Sequence, residues 1–355
     1  MSLSAAVRAE EPDHANEVLE EIRAQISAND EDLHEARARR EVVLQAASRF
    51  PGALRTFRSG SVAHGNVNNP VDDADGGMVL DRRVYVQLGP DSVDREGPQE
   101  IVREVRDHVM AIVRESYPSA RSELTKRAIL IRFDEPDGDG VDPSVDLVVA
   151  LTRKDAEGIW IPNRDEDDWN ASHPEEHTRL LTGGGKNLRV HRARVIRLAK
   201  AAIKHDPIPA LISFNVEALA LEHITKVRLL AEALQSFFAA AASSISTSLT
   251  QDPAGVSGEI KLPDGMTRQR SAKRLGHFAS KLQEAIDHSD DLGSVETALA
   301  ELYPEQLPNA QRSGKTRLAE AIRRADESGI RRGLSIAPAA SFKTTNSYGD
   351  DGASA

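Results

Sequence analysis

The sequence predicts an α+β chain of two packed lobes: a strand-bearing lobe over about residues 31–180 and a helical lobe over about 181–330. Three observations predict it. The 355 residues are enough for one large or two modest domains with a real core. Short runs rich in Val, Leu and Ile, at 76–88, 128–133 and 145–151, are interleaved with helical periodicity in the first half. Aromatics make up only 4% of the chain, so the core must be built mainly of Ala, Leu, Val and Ile, a composition that favours helix.

Composition also excludes function classes. With no cysteine, disulfides, thiolate metal sites and cysteine nucleophiles are ruled out, so any metal is held by oxygen or imidazole. A net charge of −11 argues against broad binding to duplex nucleic acid, which needs a basic face. There is no run of about 18 apolar residues and no basic, then apolar, leader, so the expectation is a cytoplasmic protein without membrane contact.

Residues 1–30 are polar and acidic and read as a flexible arm, with at most a short helix over 15–26. A cleaner helix follows over 31–50, where Leu33, Ala36, Val42, Val43, Leu44 and Ala47 alternate with charges until Pro51-Gly52 ends it. Next comes the stretch around which the chain is organised, 57–81. Gly60-Ser61 offers a backbone that phosphate can approach and a hydroxyl that can donate to it. In Asp72-Asp73-Ala74-Asp75, strand alternation puts Asp73 and Asp75 on one side, about 7 Å apart along the strand, where they can share divalent ions. Gly76 and Gly77 are costly inside a strand unless a ligand or another backbone comes close. Read locally, the stretch is either a nucleotide site or a polar loop followed by a hairpin with surface aspartates. Asp81, on the same strand face as Asp75, lies about 20 Å away and takes no metal role.

Residues 91–117 read as an amphipathic helix. Strands over 128–133 and 145–151 flank an acidic loop, 134–143, which Pro136 and the lack of a closing Glu separate from an EF-hand. Asp146 is a lone carboxylate in the apolar string Val145-Asp146-Leu147-Val148-Val149, expensive there unless paired or metal-bound, and otherwise an edge residue facing water. Residues 153–187 are polar and carry both tryptophans; His173 and His177 read as structural, because Pro174 breaks a helix between them.

On the helix over 187–205, Arg194, Arg197, Lys200 and Lys204 fall in an arc of roughly 120°, opposite an apolar face. That is either a solvated surface helix or an anion-binding one. Ser213 reads as an N-cap backed by Glu217, opening a helical stretch over about 217–249. Further helices are expected over 268–288, 294–302 and 315–327, and residues 331–355, rich in Ser, Ala, Gly and Thr, read as a disordered tail.

The order Gly-Ser, a loop of about ten residues, Asp-x-Asp on a strand and a further Asp on a later strand resembles the polymerase-β-like nucleotidyltransferases. Within them the chain looks most like the bacterial CD-NTases, relatives of cyclic GMP-AMP synthase, over about residues 31–303. The resemblance implies a two-lobed polymerase-β-like core with a mixed sheet, spanned by the helix at 31–50. It further implies that Asp73, Asp75 and Asp146 hold two Mg²⁺ (or Mn²⁺) ions, and that Gly60, Ser61, Lys200 and Ser213, with Lys204 in reserve, hold a nucleoside triphosphate whose base stacks on Phe214. The implied product is a cyclic di- or oligonucleotide made from ATP, GTP or other triphosphates, read by an effector in antiphage (CBASS-type) defence, with the C-terminal tail open to a regulatory or tail-ligating partner. The loop at 62–70 lacks the threonine often found there, and Gly76-Gly77 replaces bulkier residues. Two rivals are a transferase acting on a small molecule, protein or RNA end, and a catalytically silent nucleotide-binding protein.

Overall fold

The computed structural model of the protein describes residues 13–310, apart from 137–139, 206 and 309. Seven strands form one sheet: β1 (Ala53–Ser59), β2 (Asp73–Leu80), β3 (Arg121–Leu124), β4 (Ile129–Arg132), β5 (Ser144–Thr152), β6 (Ile159–Asn163) and β7 (Asp168–Ser172). Their order is β1-β2-β5-β4-β3, with the β6–β7 hairpin continuing from the far end of β5. Among the seven described strands, β2 and β5 pair in parallel and the other neighbours antiparallel, so the sheet is mixed, as expected. One face of the sheet is covered by α2 (Asp30–Ser48) and α4 (Gln99–Ser116), which bury Met78, Leu80, Val145, Leu147, Val149 and Leu151. The other face carries a smaller cluster of Phe57, Val79, Val148, Ala150, Ile159 and Ile161.

The second lobe is helical: α6 (Lys186–Lys204), α7 (Ser213–His223), α8 (Leu230–Thr247), α9 (Arg268–Asp287) and α10 (Leu292–Leu299) share one core anchored by Phe237, Phe238, Phe278 and Tyr303. Helix α1 (His14–Gln25) belongs to this core as well. Its Ala15, Val18, Leu19 and Ile22 are buried, and Asp13 caps it, accepting from the Asn16 N–H and from the Ser289 hydroxyl at 2.9 Å. The flexible arm expected over 1–30 is thus corrected for residues 13–26: four apolar residues at helical spacing, sparse among acids, are enough to dock a helix. Among the described helices, none contributes buried residues to both main cores. Helix α2 lies on the sheet and α1 in the helical core, so the pair divides the spanning expected of the helix at 31–50.

Other boundaries moved for local reasons. The strand expected over 76–88 stops at Leu80, because the Asp81 carboxylate accepts the Arg83 N–H at 2.9 Å and its carbonyl accepts from Val84 and Tyr85, a side-chain-stabilised turn. Helix α4 begins at Gln99 rather than 91, after Gly89-Pro90 and Gly97-Pro98. The helical stretch over 217–249 is two helices, broken between His223 and Leu230. The helix at 315–327 and the tail at 331–355 lie outside the described residues. No described helix is long and apolar enough to cross a membrane.

Candidate active site

Strand parity aims three carboxylates at one point. In β2, Met78 and Leu80 face the α2/α4 layer, so Asp73, Asp75, Gly77 and Val79 face the opposite side; in β5, Asp146 shares that side with Val148 and Ala150. The parallel register sets Asp75 directly beside Asp146. Asp73, Asp75 and Asp146 each offer a carboxylate oxygen within 4.8 Å of the others. Asp81, beyond the end of β2 and held by Arg83, is not among them.

Asp75 is 1% exposed, and both its oxygens lack a hydrogen-bond partner among the described residues. Burial, then the charges of Asp73, Asp146 and Glu217, push its carboxyl well above the usual range against the pull of Arg40. Burial and Asp72 raise Asp73 to about 6, opposed by Lys200 and Lys204. Three converging acids, one of them buried without a donor, fit a hard divalent cation with oxygen ligands.

The Gly-Ser motif is structured. Gly60 and Ser61 open α3 (Gly60–His64), a single helical turn closed by Gly65 in the left-handed region. Gly60 itself has φ +72°, and a Cβ there would collide with the Asp75 carboxylate, so this glycine is required by an aspartate, not only by an incoming phosphate. Gly76 and Gly77 also have a packing reason. A Cβ on Gly76 would press on the Phe57 carbonyl oxygen at 2.9 Å, and one on Gly77 would strike the Phe57 ring. Of the two explanations open for this glycine pair, a ligand or another strand close by, the second is the one found: both lie against β1. Ser61 is half-buried; the neighbouring Ser59, register partner of Asp75, is buried with its hydroxyl unpartnered among the described residues.

Across from the sheet, Lys200 of α6 donates to Glu217 Oε1 at 2.7 Å and to Asn66 Oδ1 at 2.9 Å, and its side chain keeps 13% exposure. Burial would raise the Glu217 carboxyl, but Lys200 and His64 hold it well below the usual carboxylate range. Lys204 is exposed at the end of α6. Ser213 proves to be the first residue of α7 and not its N-cap. The cap is Ile212, whose N–H donates to Asn215 Oδ1 at 3.3 Å, which leaves Glu217 free of the capping role assigned to it. Phe214 is half-buried, its ring 4.8 Å from that of His177 on α5 (Pro174–Thr182). His177 Nε2 in turn meets Asp252 Oδ1 at 2.6 Å, a structural role as expected. Burial would raise Asp252, but the N–H groups of Ser257 and Ala254 and the His177 ring bring it down to about 2.

Sequence reasoning missed Glu217, His64 and Asn66. Glu217 carried the same signal that exposed Asp146: a lone carboxylate in an apolar run, Val216 to Leu219. His64 and Asn66 had no signal of their own.

The mixed sheet, the helical lobe and the three converging acids together give an α+β fold of the polymerase-β-like kind. Residues 52–183 match the Second Messenger Oligonucleotide or Dinucleotide Synthetase domain family, so the chain carries such a domain, and the resemblance to the bacterial CD-NTases stands. Among solved structures, the chain is similar to the Vibrio cholerae DncV cyclic AMP-GMP synthase in complex with a linear intermediate, at 13% identity and TM-score 0.62, covering 85% of this chain and 99% of that one. It is similar to the E. coli MS115-1 CdnC with ATP, at 18% identity and TM-score 0.56, covering 84% and 99%. It is also similar to the Bradyrhizobium diazoefficiens CD-NTase CdnG in complex with GTP, at 14% identity and TM-score 0.58, covering 83% and 97%. No curated protein sequence matches the chain.

Proposed function

We propose that the protein joins nucleoside triphosphates into a cyclic di- or oligonucleotide second messenger, as a CD-NTase of the CBASS type. The observation that carries this reading is the convergence of Asp73, Asp75 and Asp146 on adjacent parallel strands inside a domain that matches the second-messenger synthetases. Two divalent ions, Mg²⁺ or Mn²⁺, would be held by these three carboxylates. When bound, they neutralise phosphate charge and acidify the attacking hydroxyl.

The chain's own groups supply binding and alignment. Lys200 has three N–H donors and two partners in the protein, which leaves one for a phosphate oxygen. The Ser61 and Ser213 hydroxyls donate to the same triphosphate beside the Gly60 backbone, with Lys204 at the rim. Phe214, half-buried beside the tilted His177 ring, would stack on the base. Held in line, a ribose hydroxyl of one nucleotide attacks the α-phosphorus of the other. The new O–P bond forms, the bond to the β-phosphate oxygen breaks, pyrophosphate departs, and the hydroxyl proton passes to solvent. A second such step on the linear product closes the ring. The product is read by an effector in antiphage defence.

The test is incubation of purified protein with all four labelled triphosphates and Mg²⁺ or Mn²⁺, followed by phosphatase and mass spectrometry, beside an Asp73→Ala/Asp75→Ala control. A phosphatase-resistant cyclic product absent from the control is expected. A nucleotide found on a small molecule, protein or RNA end would favour single transfer, and no consumption or binding of triphosphate would leave a silent scaffold.

A further inference from the structure

Four elements converge on one buried carboxylate. Glu217 of α7 takes the Lys200 ammonium of α6 on Oε1 at 2.7 Å and the His64 Nδ1 of α3 on Oε2 at 3.1 Å, while the other ring nitrogen of His64 meets the Thr178 hydroxyl of α5 at 3.1 Å. The Lys200 ammonium keeps the Glu217 carboxyl ionised and therefore only an acceptor, so His64 donates from Nδ1. Asn66, two residues beyond His64, takes a second proton of Lys200 at 2.9 Å. The short segment that begins with Gly60-Ser61 therefore grips, through His64 and Asn66, the lysine of the opposite lobe.

A pair placed for stability alone would be replaceable by apolar residues of similar volume. This one differs in two respects. The lysine is not sealed in: it keeps partial exposure, and two of its three N–H donors are taken among the described residues. And the carboxylate is shared between the lysine and a histidine that belongs to the phosphate-cradle segment, so displacing α3 displaces the lysine.

We propose that Glu217, with His64 behind it and Asn66 beside it, is a positioning residue that presents Lys200 to the donor triphosphate, so that the Gly-Ser segment of one lobe and the lysine of the other act as one body. The inference rests on the nucleotidyltransferase reading above. Neither Glu217 nor His64 touches the nucleotide; both act through Lys200. Without the tether the ammonium still attracts triphosphate but no longer holds it in line, which lowers turnover more than ground-state binding.

The experiment is a double-mutant cycle on the full chain, reading kcat and KM for triphosphate, with thermal unfolding as a check that each variant is folded. Glu217→Gln removes the charge at constant shape, and His64→Leu removes the donor while leaving the Lys200–Glu217 pair in place. His64→Asn restores a donor near the Nδ1 position. Each of the first two is expected to lower kcat by about tenfold or more while KM changes by less than about threefold, and His64→Asn to recover most of the loss. In a Lys200→Met background neither change should lower kcat further. Equal losses with and without Lys200, or wild-type kcat in folded Glu217→Gln or His64→Leu, would overturn this inference alone. A wild type that neither binds nor consumes triphosphate would end the nucleotidyltransferase reading and this inference together.

Discussion

The Asp75 carboxylate occupies the space that a Cβ on Gly60 would fill, so the glycine of the Gly-Ser motif and the middle acid of the triad are fitted to each other. Gly60→Ala must then move the carboxylate or α3, and it also strains a backbone at φ +72°. Synthesis is expected to fall by about 100-fold or more, the scale of a misplacement of roughly 1 Å. Turnover measured beside thermal unfolding checks this, with a stability loss of about 1–3 kcal/mol expected.

Crowded acids make the opposite stability prediction. Asp75→Asn and Asp146→Asn should each abolish product formation, yet leave the cation-free protein as stable as wild type or more so, since each removes a charge from a like-charged cluster. In wild type, a divalent cation at about 100 times its Kd should add about 2.7 kcal/mol, and that gain should shrink in both variants. Melting curves with and without Mg²⁺ or Mn²⁺ read both effects.

The Phe214 ring lies 4.8 Å from that of His177, tilted by 51°, and is only half-buried. Phe214→Ala is expected to raise KM for triphosphate by about tenfold to 100-fold, matching a base-stacking contribution of about 1–3 kcal/mol, while Phe214→Tyr stays near wild type. Steady-state kinetics on each of the four triphosphates would show the effect.

Asp252 links the loop after α8 to His177, and its carboxyl is held down to about 2 from an ordinary 3.8. A lowered folded pKa means that the unfolded state binds the proton more tightly. The stabilisation is full above about pH 4 and is lost as pH falls toward 2. Its size is about 2 kcal/mol. Asp252→Asn should therefore lower stability at pH 7 and differ progressively less from wild type as pH drops from 4 to 2, measured by denaturant unfolding across that window.

Much of this was legible in the sequence, and the misses share a cause. Strand alternation and an apolar context marked Asp73, Asp75 and Asp146 as candidates, and the resemblance to the nucleotidyltransferases joined them into one site. Strand β1 was missed because its outer positions, such as Arg55 and Arg58, are charged and pair with Glu175 and Glu41 from α5 and α2. The β6–β7 hairpin was hidden by its polar residues: Trp169 is buried, but Asp168 and Asn170 flank it. Glu217 was read as a cap because a Ser four residues earlier offered a local explanation, whereas its partners, His64 and Lys200, lie 153 and 17 residues away. Partners that meet only through tertiary packing leave no pattern in a single sequence.

The triad hangs on two hydrogen-bonded strands of one core, whereas Phe214 rides on a helix of the other. On the reading proposed above, chemistry and base contact would be lodged in separate halves of the polypeptide. Changes in α7 would then alter which letter is accepted while the acids on β2 and β5 stay as they were, so a lineage built on this plan could diversify its signalling alphabet without relearning how to write.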